Sequence, residues 1–336
     1  MPKRIGKYTL EMENDVRILN NAAIVGHKEA EGPLAKYFDK TYSDDKFGES
    51  SWEKAESFLQ KSAVELALKK AEIDASSINY IFAGDLLNQC ISSTFGLRAL
   101  GIPFLGQYGA CSTMAQTISM ASVFTDSFAA DRCVAVTSSH FCSAERQFRF
   151  PLEYGGQRTP TAQWTVTGSG AAIIQRGGNG IKIKRITIGR ITDMGIKDAN
   201  NMGAAMAPAA AQTILDYFSD TKEKPQNFDL ILTGDLGMIG KTLLLELLEK
   251  EGLKISRQHN DCGLMIFDIK TQDVHAGGSG CGCSGSVFCS YVLQKMKTNE
   301  LKRVLFVATG ALMSPTSAQQ GESIPGVAHL IELESE

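Results

Sequence analysis

The chain has 336 residues, 43% hydrophobic and 21% charged, enough apolar material for one large domain or two of ordinary size. Its 34 basic and 37 acidic residues leave a net charge of −3, which argues against a general nucleic-acid binder while leaving room for a local basic patch. No window approaches the ~18 uninterrupted apolar residues of a bilayer span, and Met1-Pro2-Lys3-Arg4 runs into charged sequence without a signal-peptide core. The expectation is a cytosolic protein with reduced thiols, whose membrane contact, if any, is peripheral.

The first predicted elements are a helix from Trp52 to Lys70 and a buried strand, Tyr80-Ile81-Phe82-Ala83, that ends in Gly84-Asp85-Leu86. A turn, Gly109-Ala110-Cys111-Ser112, then opens a stretch with apolar residues at helical spacing, among them Met114, Ile118, Ala121 and Phe124. A strand follows over Arg132–Thr137, and later a second one over Gly170–Ile174. Between them, residues 140–165 hold Phe141, Phe148, Phe150, Pro151, Tyr154 and Trp164; an irregular stretch this aromatic is expected to cover a pocket or a subunit contact.

After the turn-forming Gly177-Gly178-Asn179-Gly180 the chain repeats itself. A helix over Met206–Phe218 precedes Leu230-Ile231-Leu232-Thr233-Gly234-Asp235-Leu236, the counterpart of the first Gly-Asp-Leu strand. Gly282-Cys283-Ser284 opens a helical stretch, Arg303–Thr309 matches Arg132–Thr137, and Gly326–Ile331 matches Gly170–Ile174. Each half therefore reads β–α–β–α–β–β, with residues 1–178 and 179–336 as the two halves and 140–165 as an insert in the first.

This duplication, with a cysteine at a strand-to-helix turn and the run Thr167-Gly168-Ser169-Gly170-Ala171-Ala172, resembles the thiolase and ketoacyl-synthase superfamily. The resemblance implies an α/β fold of two thiolase-like halves in a five-layer α-β-α-β-α sandwich. It also implies a homodimer joined along the strand after the cysteine helix, here Cys133–Ser138.

A closer resemblance, to the stage V sporulation protein AD family, rests on runs spread along the whole chain. They include Glu31-Gly32-Pro33-Leu34, Ala83-Gly84-Asp85-Leu86-Leu87-Asn88-Gln89, Gly109 to Thr113 and Ala144-Glu145-Arg146-Gln147-Phe148-Arg149. Glu153-Tyr154-Gly155-Gly156-Gln157, Met206-Ala207-Pro208, Asp261-Cys262-Gly263 and Ala276-Gly277-Gly278-Ser279-Gly280-Cys281 continue the match. Membership implies binding of dipicolinic acid (pyridine-2,6-dicarboxylate), with calcium as its chelate, for loading into the developing spore. It further implies peripheral association with membrane-embedded proteins of the same sporulation operon, at the cytoplasmic face of the spore's inner membrane.

Cys111 is the residue on which catalysis would turn. A thiol at a helix N-terminus is expected to favour thiolate, and in condensing enzymes that thiolate is acylated. Position alone leaves a nucleophile and a small buried cysteine both open. The partners argue against condensation: Asp235 stands where the ketoacyl-synthase pattern has its first histidine, and Ser279–Cys283 supplies neither histidine nor asparagine at the second position. Of the five histidines, His329 reads as packed and His259 as lying in a polar loop; only His140 and His275 flank pocket-forming turns.

What the sequence offers instead is an anion site: two glycine- and serine-rich turns, each opening a helix. The expected ligand-binding residues are Cys111, Ser112, Thr113, Asn88, Ser139, His140, Arg146, Asp235, Ser279 and Cys281, with Gln89, Ser138 and Arg149 as further donors. Asp85 and Asp235 read as turn caps or, alternatively, as ligands of a calcium ion. No protein-bound metal and no resident cofactor are expected. The competing function is an acyltransferase using Cys111 with His140 or His275 as base.

Overall fold

The computed structural model describes residues 1–148 and 158–335. In the first half the long elements are β1 (Val16–Val25), α1 (Trp52–Ala71), β2 (Tyr80–Gly84), α2 (Ile91–Leu97), β3 (Phe104–Gly106), α3 (Thr113–Asp126), β4 (Arg132–Ser139), α4 (Phe141–Phe148) and β5 (Gly168–Arg176). The second half runs β6 (Ile181–Thr187), α5 (Met202–Thr221), β7 (Leu230–Thr233), α6 (Gly237–Lys250), β8 (His259–Asp261), α7 (Cys281–Val287), β9 (Arg303–Ala311) and β10 (Gly326–Glu334). Hydrogen bonding orders these strands β8-β7-β9-β10-β6-β1-β5-β4-β2-β3. Exchanging each strand for its counterpart in the other half reverses that order onto itself.

Each half is therefore β–α–β–α–β–α–β–β. The additional unit, α2–β3 in one half and α6–β8 in the other, ends in a strand of three residues that pairs in parallel with the Gly-Asp-Leu strand. Three residues are too few to show a period, which is why this unit escapes the sequence reading.

Local sequence explains the main helices. In α1 the Ser51 side chain caps the first turn by accepting from the Lys54 N–H at 3.3 Å, and Ala55, Leu59, Ala63 and Ala67 repeat every fourth residue on the buried face. Helix α5 starts at Met202, not Met206, because Asn201 caps it by accepting from the Ala204 N–H. Helices α1 and α5 pack on the outer faces of the two sheets, and α3 lies between the sheets, touching strands of both. Helix α7 packs on β4 and β5 and continues into a π-helical turn (Phe288–Val292), where Phe288 stacks on Phe306 of β9 at 4.4 Å. The result is the five-layer arrangement, with Met114, Ile118, Val287 and Phe288 fully buried in its centre. Each large side chain buried there stabilises the fold by about 1.5–3 kcal/mol.

The strand expected to meet a dimer partner has no free edge for one. Cys133–Ser138 belongs to β4, which pairs in parallel with β2 and antiparallel with β5, so neither of its edges is open. The sheet ends at β3, whose Phe104 and Leu105 are 39% and 41% exposed.

The aromatic insert begins as helix α4, and Trp164–Thr165 pairs with Gly278–Ser279. Arg149, Phe150, Pro151, Glu153 and Tyr154 lie outside the described residues. Among the described residues no helix is long and apolar enough to cross a membrane.

Candidate functional site

The cysteine turn is held by its own hydroxyls. Ser112 Oγ donates to the Gly109 carbonyl at 2.7 Å, and Thr113 Oγ1 donates to the Ala110 carbonyl at 2.6 Å. Both hydroxyls are buried, so Ser112 and Thr113 shape the turn and are not among the residues that line the pocket. Ala110 is forced to φ +49°, which aims Cys111 across the junction of the halves. That turn leans on β9: a Cβ at Gly310 would stand 2.3 Å from the Gly109 carbonyl oxygen.

The symmetric turn meets it from the other half. Gly280, at φ +102°, donates its N–H to Asp235 Oδ2 at 2.8 Å, and Gly282 N–H donates to Ser139 Oγ at 3.1 Å. Ser139 in turn donates to the Val166 carbonyl at 2.6 Å, and the Cys281 thiol donates to the Ser138 carbonyl at 2.9 Å. Ser139 and Cys281 thus brace the second turn, and both are buried.

Between the two turns lies a pocket. Its floor is Ala110, Cys111 and Ser279; one wall is Leu86 with Ala144, Glu145 and Phe148 of α4, and the other is Met202, Ala311 and Met313 from the second half. Tyr108 and Thr165 complete the lining. Of the ten residues expected from sequence, Cys111 and Ser279 reach this surface and Asp235 lies directly behind it.

Asp235 is fully buried and accepts from Gly280 N–H, from Thr309 Oγ1 at 3.0 Å and from Ser279 Oγ at 3.3 Å. Burial raises its carboxyl to about 7, against the hydrogen bond from Gly280, and nearby Asp261 adds to the rise. The Cys111 thiol is driven well above its ordinary range, first by burial and then by the charge of Asp235. The expectation that the helix N-terminus would favour thiolate is overturned: α3 does begin there, but desolvation and a facing carboxylate outweigh it.

No histidine repairs this. His140 is buried away from the pocket, its ring against Trp52 and Phe47, with Nε2 bonded to the Asp45 carbonyl and Nδ1 accepting from Cys142 N–H. His275 bonds the Thr159 carbonyl through Nδ1 and Asp273 through Nε2. His259, read as a loop residue, is buried on β8 with Nε2 against Thr233 Oγ1 at 3.0 Å. His329 is packed within β10.

The remaining expected residues are also elsewhere. Asn88 is exposed and tied to Gln147 of α4, and Arg146 pairs with Glu53 at the surface. Ser138 Oγ donates to Glu56, a buried carboxyl raised to about 8. Asp85 accepts from the Ser93 N–H and hydroxyl at 2.8 and 2.6 Å and from the Leu87 N–H at 2.9 Å, so it caps its turn. Among the described residues no group of three or more His, Cys, Asp or Glu side chains is placed to hold a metal ion.

Sequence reasoning missed most of the apolar wall. Tyr108 and Ala110 adjoin the flagged turn, and Ala144 and Phe148 sit four apart in the flagged insert, so a signal for them existed. Met202, Ala311 and Met313 carry none, since only the fold brings these two separate second-half segments to this mouth.

A buried cysteine at a helix head, facing a symmetric glycine turn between two mirrored halves, defines a thiolase-like protein of the condensing-enzyme architecture. The fold is shared with 3-oxoacyl-[acyl-carrier-protein] synthase III from Aquifex aeolicus (TM-score 0.58, 12% identity, covering 95% of this chain and 99% of that one). It is shared equally with a variant of Xanthomonas campestris OleA (TM-score 0.60, 12% identity, 96% and 99% covered). Within that class, the family model described as stage V sporulation protein AD matches residues 6–334. Stage V sporulation protein AD of Bacillus subtilis is 45% identical over 332 residues, covering 99% of this chain and 98% of that protein. The chain belongs to the stage V sporulation protein AD family.

Proposed function

We propose that the Cys111 pocket binds dipicolinate, as the free acid or its calcium chelate, without forming an acyl-enzyme, and that this binding serves loading of the developing spore. The observation that carries the non-catalytic half is the environment of Cys111: a buried carboxyl where a condensing enzyme needs a histidine, and a thiol held protonated. An enolate formed beside Asp235 would meet like charge. The family supports the ligand. The pocket suits a planar ring, since Tyr108 and Phe148 offer aromatic faces and Met202 and Met313 an adaptable thioether wall. The Ser279 hydroxyl and the neutral Cys111 thiol, both turned to Asp235, can swing to donate to a ligand carboxylate instead.

The same reading places the protein as a homodimer that associates peripherally with membrane-embedded proteins of its operon, at the inner membrane of the developing spore. The dimer contact runs along β3, the outermost strand of its half, where Phe104 and Leu105 are exposed.

Calorimetric titration with pyridine-2,6-dicarboxylate and its 3,5-isomer tests the ligand. The 2,6-isomer converges two carboxylates and the ring nitrogen on one face and is expected to bind alone; equal binding of both, or of neither, contradicts the proposal.

A further inference from the structure

We infer that the pocket takes up a proton together with its dicarboxylate, and that the proton resides on Asp235. The inference rests on the dipicolinate reading and adds a condition to it.

A pyridine dicarboxylic acid is a dianion near neutral pH. Among the described residues that line the pocket there is no Lys, Arg or His, while Glu145 stands in the wall. Asp235 is one side chain behind the floor, bonded to Ser279 and facing Cys111, both of which touch the cavity. A dianion placed against this floor meets a fully buried carboxylate at short range in a medium that screens charge poorly. Protonating that carboxyl removes the repulsion.

Among the described residues, the groups packed around Asp235 offer no cation to relieve it. Cys111 faces it from the head of α3; Cys281 and Cys283 approach from α7, and Cys262 from the short helix after β8. Burial raises all four thiols, so they are already protonated and have no proton to accept. Asp261, on β8, accepts from Leu236 N–H, Gly237 N–H and Thr233 Oγ1, and Lys241 acts on it with opposite charge. Burial raises it too, but against those contacts only to about 6, below Asp235, and unlike Asp235 it has, among the described residues, no hydrogen bond to a residue of the pocket floor. The carboxyl of Asp235, lifted to about 7, is poised to change state within the physiological range.

The balance is simple. Above pH 7 the ligand enters as a dianion, one proton passes from the buffer to the Asp235 carboxylate, and the complex gains one negative charge instead of two. Linkage then requires the dissociation constant to rise about tenfold per pH unit in that range. Below about pH 6 the carboxyl already carries its proton and the dependence flattens. The calcium chelate of dipicolinate is neutral, so its binding needs no proton.

The test is calorimetry of the full chain at pH 6.0 to 8.5, in paired buffers of different ionisation enthalpy, with sodium dipicolinate free of calcium and with the calcium chelate. The expected result is uptake approaching one proton per dianion at pH 8, little at pH 6, and none with the chelate. In Asp235→Asn the uptake is expected to vanish and the affinity to lose its pH dependence. Binding that is independent of buffer and pH overturns the inference and leaves the ligand reading standing, as does uptake that persists unchanged in Asp235→Asn for the assignment to that residue. Absence of binding heat with either form contradicts the ligand reading, and the inference falls with it.

Discussion

The carboxyl of Asp235 faces the thiol of Cys111, and burial first, with that carboxyl second, pushes the thiol toward its protonated form. The two residues come from opposite halves of the chain and meet because the Gly280 N–H fixes the carboxylate at 2.8 Å while the Ala110 turn delivers the cysteine. A helix dipole contributes only about 0.3–1 kcal/mol in ordinary settings, too little to offset burial of a thiolate beside like charge.

Replacing that carboxyl should therefore release the thiol. In Asp235→Asn the rate of alkylation at Cys111 by a small reagent at pH 8 is expected to rise roughly tenfold, because one of the influences that raise the thiol is removed while burial remains. Wild type incubated with acetyl and longer acyl thioesters is expected to show no turnover-competent adduct by intact-mass spectrometry. An unchanged alkylation rate would remove Asp235 as the cause.

Gly310→Ala should destabilise the protein by about 2–3 kcal/mol, because its Cβ would stand 2.3 Å from the Gly109 carbonyl oxygen and neither backbone segment can yield freely. Chemical denaturation measures this. A loss below about 0.5 kcal/mol would show that the cysteine turn does not depend on close approach to β9.

Glu29 gives a pH signature of stability. It is buried, Oε1 accepts from Thr167 N–H at 3.0 Å, Oε2 has no hydrogen-bond partner among the described residues, and burial raises the group to about 8. Between about pH 4.5 and 8 the unfolded chain ionises this group while the folded chain keeps its proton, so stability falls as pH rises. Glu29→Gln abolishes that term. Relative to wild type the variant should gain roughly 2–5 kcal/mol between pH 4.5 and 8; parallel denaturation curves at the two pH values would contradict it.

For the dimer, light scattering at micromolar concentration is expected to give twice the chain mass, and Leu105→Asp on β3 to give a monomer that remains folded. A monomeric wild type, or a variant that stays dimeric, would place the contact elsewhere.

Much of the fold is legible in the sequence because buried parallel strands are nearly all apolar and end in the same Gly-Asp-Leu, so the duplication shows at once. The units α2–β3 and α6–β8 are not, since their three-residue strands lack a pattern. The site divides in the same way. Cys111 and Ser279 are readable from turn chemistry, and Asp235 from the place a histidine should hold. Ser112, Thr113, Ser139 and Cys281 have donors of the right kind, but backbone carbonyls take them, of their own turn for Ser112 and Thr113 and of distant segments for Ser139 and Cys281, and no spacing rule reveals that. His140 flanks a pocket-forming turn in sequence yet turns its ring toward Trp52, a choice made by packing against α1.

The central claim is that dipicolinate occupies the Cys111 pocket and that the thiol serves by its size and position. Titration of dipicolinate into wild type, Cys111→Ser and Cys111→Trp tests it most directly, with circular dichroism to confirm that each is folded. Serine keeps the turn and the small volume, so binding should stay within a few-fold of wild type; tryptophan fills the floor between Ala110 and Ser279, so binding should be lost. Wild-type affinity in the folded tryptophan variant would contradict the account.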